Sequence, residues 1–133
     1  MKKLTKLLIT IMLSFLLAFS LTACSREKTF NKACEGLKLE IIANSTYLCE
    51  FELDEVYGRP VYSIYIYTFI SENSYLDILA SITYNSFKRE FLPYIEENFA
   101  NFPDASIFVC VFVNDKGYEG SYGYIYGYYA EDE

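Results

Sequence analysis

The chain predicts an α+β domain of two layers: elements in the order αββαββ, with a four-stranded, mostly antiparallel sheet and both helices on one of its faces. Two observations predict it. Apolar residues recur at helical spacing in two segments, and four other segments carry apolar or aromatic residues in strand patterns, with turn-forming clusters between them. A third observation rules out a solvated tail, since the 133 residues are 53% hydrophobic and 19% aromatic.

Phe30, Ala33, Cys34, Leu37 and Ile41 recur at helical spacing, so Thr29 to about Ile42 reads as a short amphipathic helix, weakened by Gly36. Asn44-Ser45 breaks it. Tyr47, Cys49, Phe51 and Leu53 alternate with Thr46, Glu50 and Glu52, the period-two pattern of a strand with one wet face, although Leu48 interrupts it. Gly58-Arg59-Pro60 supplies a turn into Val61 to Ile70, where both parities are apolar or aromatic, as in a central strand.

Ser74 with Asp77 resembles a capping box for a long helix that carries Tyr75, Ile78, Leu79, Ile82, Phe87, Phe91, Ile95 and Phe99. Pro93 lies inside it and removes a backbone donor, which predicts a kink or a restart near Leu92. Asn101 to Asp104 ends the helix. Ile107 to Val113 is again apolar on both parities, Asn114-Asp115-Lys116-Gly117 reads as a hairpin connection, and Tyr118 to Tyr129 returns as the last strand.

The start of the chain stands apart from this domain. Lys2, Lys3 and Lys6 make a basic beginning, Leu7 to Leu21 is apolar but for Thr10, Ser14 and Ser20, and small residues precede a cysteine. That is the layout of a secretory signal peptide. The closing Leu21-Thr22-Ala23-Cys24 resembles the lipobox of bacterial lipoproteins. The resemblance covers residues 1 to 24 only. It implies that the signal, residues 1–23, is cut off, that Cys24 carries lipid, palmitate among the acyl chains, and that the domain is extracytoplasmic and tied to the bacterial cell membrane. An uncleaved anchor and cleavage without lipid are the competing fates, and all three export the domain. Residues 24–28 are then a lipidated cysteine and short tether of at most ~17 Å, and 29–133 a single small domain held close to the bilayer.

Charge narrows the partners. All eighteen acidic residues and eight of the eleven basic ones lie from Cys24 onward, a formal balance of −10 for that part. Nucleic acid and anionic headgroups call for clustered Lys and Arg, so neither is expected as a partner. The membrane is reached through the lipid on Cys24, and an envelope protein or a glycan remains as the soluble partner.

The chain has no histidine. Ser-His-Asp and Cys-His catalysis and every His-containing metal site are thereby excluded. Dense acids occur at Asp54-Glu55, Glu96-Glu97 and Glu131-Asp132-Glu133, but neighbours on a helix or strand do not face the same way, and a solvated face explains them. Lys116 opposes calcium at Asn114-Gly117. No catalytic residue, cofactor or metal site is expected. Cys34, Cys49 and Cys110 are odd in number and none forms a CxxC; a disulfide between Cys34 and Cys49 and a set of buried thiols are both open.

One segment exceeds what a core needs. In Gly117 to Tyr129, Tyr122, Tyr124, Tyr126 and Tyr128 share one parity while Gly123, Ile125 and Gly127 share the other. With the helices over the glycine side, the tyrosines face outward, and Tyr65 and Tyr67 of another strand join them. Two meanings compete: a binding platform, since tyrosine joins apolar area to a polar tip, and ordinary cross-strand packing. The expected function is a membrane-anchored lipoprotein of the cell envelope with a non-enzymatic binding domain. The alternatives are a carboxylate-only hydrolase of envelope glycans, with two acids ~5 to 9.5 Å apart in a cleft, and a structural or assembly lipoprotein.

Overall fold

A computed structural model of the chain describes residues 26–68, 76–113 and 118–130. The chain divides into two compact units, residues 1–33 and 34–133. Of the first, the described residues are 26–33, the opening turns of a helix, α1, that spans 26–44. The second holds the remainder of α1 and then β1 (Leu48–Val56), β2 (Arg59–Thr68), α2 (Leu76–Asn98), β3 (Ser106–Val113) and β4 (Tyr118–Gly127).

The four strands form one sheet in the order β1-β2-β3-β4. β1 with β2 and β3 with β4 are antiparallel, whereas the central pair β2 and β3 is parallel. The parallel pair has a simple cause: α2, 23 residues long, carries the chain back to the end of the sheet where β2 began. The architecture is the α+β layout that the sequence predicts.

The core lies between sheet and helices. Ile64 and Ile66 of β2 and Ile107, Val109 and Val111 of β3 are fully buried, as are Leu37 and Ile41 of α1 and Phe87 and Ile95 of α2. Each such side chain stabilises the fold by ~1.5–3 kcal/mol relative to exposure. Phe87 packs on Phe91 with centroids 4.9 Å apart and takes the edge of Tyr47 at 5.9 Å. Gly36 weakens α1 by propensity, yet a Cβ there would stand 3.2 Å from the Tyr94 hydroxyl of α2. The glycine leaves that hydroxyl its place.

Local details depart from the sequence reading in places. The first turn is Tyr57-Gly58, with φ of 51° and 76°, a two-residue hairpin loop whose twist matches the strands. Pro60 lies within β2, one residue before the β2–β3 ladder begins at Val61. α2 runs unbroken through Pro93, so no restart occurs near Leu92. Leu48, which breaks the alternation of β1, is exposed, while Cys49 and Phe51 turn toward the helices. Ser74, Tyr75, Ile70 and the Asn114-Gly117 connection lie outside the described residues, as do residues 1–25 with Cys24.

Candidate functional site

The strand registers decide which side chains meet. Paired residues share a face, so Phe51, Ile64, Val109 and Gly123 form one row across the sheet, as do Cys49, Ile66, Val111 and Ser121. These rows look toward the helices: a Cβ on Gly123 would stand 2.8 Å from the hydroxyl of Tyr84 on α2. The alternate rows form the opposite face. Glu50, Tyr65, Cys110 and Tyr122 make one, and Leu48, Tyr67 and Phe112 begin the next.

On that outer face the aromatic rings form two adjoining groups. Phe112 stacks on Tyr67 at 5.3 Å and lies 5.8 Å from Tyr65. Phe108 meets Tyr124 edge-on at 5.1 Å and Tyr122 at 6.3 Å. Tyr65, Tyr67, Phe108, Phe112 and Tyr124 are half-exposed and Tyr122 is 63% exposed. A sheet face left open to water ordinarily carries polar residues. Here Tyr65, Tyr67, Tyr122 and Tyr124 share the face with Phe108 and Phe112.

Tyr126 and Tyr128 do not continue the ladder. The β3–β4 register shifts twice, between Val111 and Phe112 and between Ile107 and Phe108. At the second shift Ile107 opposes Tyr126 while Phe108 opposes Tyr124, so Ile125 is the extra residue of a bulge and the parity of the strand reverses beyond it. Tyr126 therefore joins the row of Ile107, on the helix side. At the first shift Gly120 is the extra residue, and a Cβ there would collide with Val113 and with Ala80 of α2.

Tyr128 lies past the strand end. Gly127, at φ 96°, turns the chain so tightly that a Cβ would meet the carbonyl of Ala105. The turn is pinned by Tyr128 N–H donating to Ala105 O at 3.0 Å and Tyr129 N–H donating to Ser106 Oγ at 2.9 Å. It folds Tyr129 back against Tyr124, centroids 5.3 Å apart, and the Tyr129 hydroxyl donates to Val56 O at 3.0 Å. Tyr128 meets Tyr129 at right angles, and the guanidinium of Arg59 lies 3.4 Å from the Tyr128 ring centroid. Both rings thus extend the outer face at its lower rim.

The β1 edge of this face is acidic. Glu50 and Glu52 of the edge strand point to this face; the Tyr67 hydroxyl donates to Glu50 Oε2 at 3.0 Å and the Tyr65 hydroxyl to Glu52 Oε2 at 3.2 Å. Partial burial raises the pKa of both phenols. For Tyr65 a hydrogen bond with Ser63 opposes the rise and the Glu52 charge adds to it; for Tyr67 the bond to Glu50 and its charge add. Both phenols therefore keep their protons at neutral pH and act as donors.

The remaining candidates are not assembled into a site. Cys34, Cys49 and Cys110 are thiols, so the disulfide open to Cys34 and Cys49 is not formed in this structure. Cys34 lies near Tyr62, whose row is four residues along β2 from Ile66, the partner of Cys49. That is ~13 Å of strand, against the ~7 Å limit between bridged Cα atoms. Burial, with Glu35 adding, pushes the Cys34 thiol up to about 12, and burial pushes Cys49 up to about 11, the opposite of an activated nucleophile. Asp54 accepts the N–H of Glu55 at 2.8 Å and both are exposed; Glu96 and Glu97 are exposed on α2. Glu131 to Glu133 lie outside the described residues. A shallow groove on α2 is lined by Asn85, Lys88, Arg89, Leu92, Pro93 and Glu96, which brings no second carboxylate to Glu96. Among the described residues no three His, Cys, Asp or Glu side chains gather as a metal site, and no helix is long and apolar enough to cross a membrane.

Comparison of the chain with protein-family models, with curated proteins and with solved structures finds no match.

Proposed function

We propose that the chain is an exported lipoprotein, anchored through lipid on Cys24 to the bacterial cell membrane, whose domain is a non-enzymatic binding module working at the envelope through its open aromatic sheet face. The single observation that carries the binding role is that face: six rings on three strands remain accessible to water on the side away from the helices. Contiguous exposed apolar surface of this kind is characteristic of interaction sites, and tyrosine and phenylalanine supply contact area with few torsions to freeze on binding. The anchoring half rests on the basic start, the apolar stretch and Leu21-Thr22-Ala23-Cys24. A glycan hydrolase has less support. Glu50 and Glu52 lie beside one another on an open face, so a sugar ring would not sit between them.

Each half has its own test. A palmitate analogue fed to cells labels the wild type and not Cys24→Ala; equal labelling of both overturns the anchor. For the face, Tyr67→Ser combined with Tyr122→Ser removes two accessible rings at a stability cost of about 0.5 kcal/mol each. Crosslinking in membranes then yields a partner with the wild type and loses it with the double variant. An unchanged crosslinking pattern in a folded double variant overturns the platform.

A further inference from the structure

The chemistry of the rims says what kind of partner this face takes. Resting on the reading that the face binds, we propose that its occupant is an extended basic protein segment, with arginine or lysine side chains laid on the rings and paired with Glu50 and Glu52.

Three features of the surface converge on that occupant. Ring faces carry negative potential and attract guanidinium and ammonium groups. The molecule already shows the mode on itself, with the Arg59 guanidinium 3.4 Å from the centroid of Tyr128 at the lower rim of the same face. Along the β1 edge, Glu50 and Glu52 each receive a phenol hydrogen bond on Oε2 from a ring of the platform. The phenols hold the carboxylates at the border of the aromatic surface, so a cation on the rings meets a counter-charge there.

Spacing adds a constraint. Glu50 and Glu52 are alternate residues of one strand, ~7 Å apart, and an extended segment repeats that interval along one side. Arginines two residues apart therefore reach both carboxylates at once. Long-range charge agrees, since the formal balance of −10 from Cys24 onward draws cationic segments in and holds anionic lipid surfaces and further copies of the chain away.

The test uses the full chain purified from membranes in detergent and a synthetic ten-residue peptide of alternating arginine and serine, with a glutamate-serine peptide beside it. The chain has no tryptophan and fourteen tyrosines, so tyrosine emission reports binding directly. The arginine peptide should bind and the glutamate peptide should not, and Glu50→Gln with Glu52→Gln should weaken binding by about tenfold or more. Glu96→Gln with Glu97→Gln removes the same charge from α2 and should change it by no more than about twofold. Equal weakening by both pairs would mean attraction to overall charge and would overturn the inference, as would failure of the arginine peptide to bind. Self-association in sedimentation that Tyr67→Ser with Tyr122→Ser abolishes would make a second copy the occupant and overturn it too. The platform itself is judged separately: a crosslinked partner lost with the ring variant but kept with Glu50→Gln and Glu52→Gln leaves the platform standing while the basic occupant falls.

Discussion

Gly127 turns the chain so that Tyr128 and Tyr129 fold onto the rim of the outer face. Its φ of 96° is a conformation that side chains with a Cβ rarely adopt, and the Ala105 carbonyl occupies the place where that Cβ would go. Gly127→Ala should therefore lower the stability of the domain by about 2–4 kcal/mol, from strain and from displacement of the Ala105 backbone together. Urea unfolding measures it. An effect under about 0.5 kcal/mol would mean that the turn rearranges freely. At this scale the sequence was legible in part. Alternation placed Tyr122 and Tyr124 correctly, because no register shift separates them. It misplaced Tyr126, because counting by twos assumes one residue for each residue opposite, and Ile125 breaks that assumption; Tyr128 reaches the outer face through the turn at Gly127 and not by alternation. The glycines at 120 and 127 were the available signal of irregular pairing. Phe108 and Phe112 carry no such signal: both parities of β3 are apolar, so nothing in the strand itself says which side is wet.

Among the elements, α2 shows the clearest tension between local rule and tertiary outcome. Pro93 removes the N–H that would bond Arg89 O, yet the helix continues to Asn98. Phe87, Phe91 and Ile95 lie buried on one side of this stretch while Pro93 is exposed, so packing holds the helix and water can solvate the orphaned carbonyl. Pro93→Ala should then stabilise the domain by about 1–3 kcal/mol. Helix content should stay as it is, by circular dichroism. A clear loss of helix would show that the proline nucleates a turn instead of being tolerated. The two edge strands differ in a related way. β4 carries two register shifts, whereas β1 pairs with β2 without interruption from Leu48 to Val56. Irregularity discourages an edge from pairing with foreign strands, and on β1 that task falls to Glu50, Glu52, Asp54 and Glu55. Helices and strands were readable because their periodicities differ; the parallel β2–β3 pair follows once a helix is seen to join them.

For the whole molecule, burial of weak acids sets a limit on the alkaline side. Burial raises Cys34 to about 12 and Cys49 to about 11, and lifts Tyr62 further, from ordinary values of 9.0 for a thiol and 10.0 for a phenol. All three are neutral when protonated, so the folded state keeps protons that the unfolded chain releases earlier. Stability is then intact below about pH 9 and falls as pH rises from there toward 12. Urea midpoints at about pH 8 and about pH 11 should differ by well over the experimental scatter. Equal midpoints would mean that these side chains reach solvent without unfolding. Charge and fold class could be read from residues alone because they are sums or patterns along the chain. The aromatic face could be read only by half, since a surface assembled from three strands depends on registers that no single segment contains.

The hydroxyl of Tyr129 bonds a carbonyl 73 residues earlier in the chain, at Val56 beside the first hairpin turn. A link of that length makes the two ends of the sheet a single cooperative unit, in which β4 cannot fray without loosening the hairpin at the far edge. Amide exchange near Tyr57 and Arg59 should thus quicken in Tyr129→Phe, although those residues sit in a different strand pair. The turn that follows β4 thus acts as a latch on the hairpin of β1 and β2.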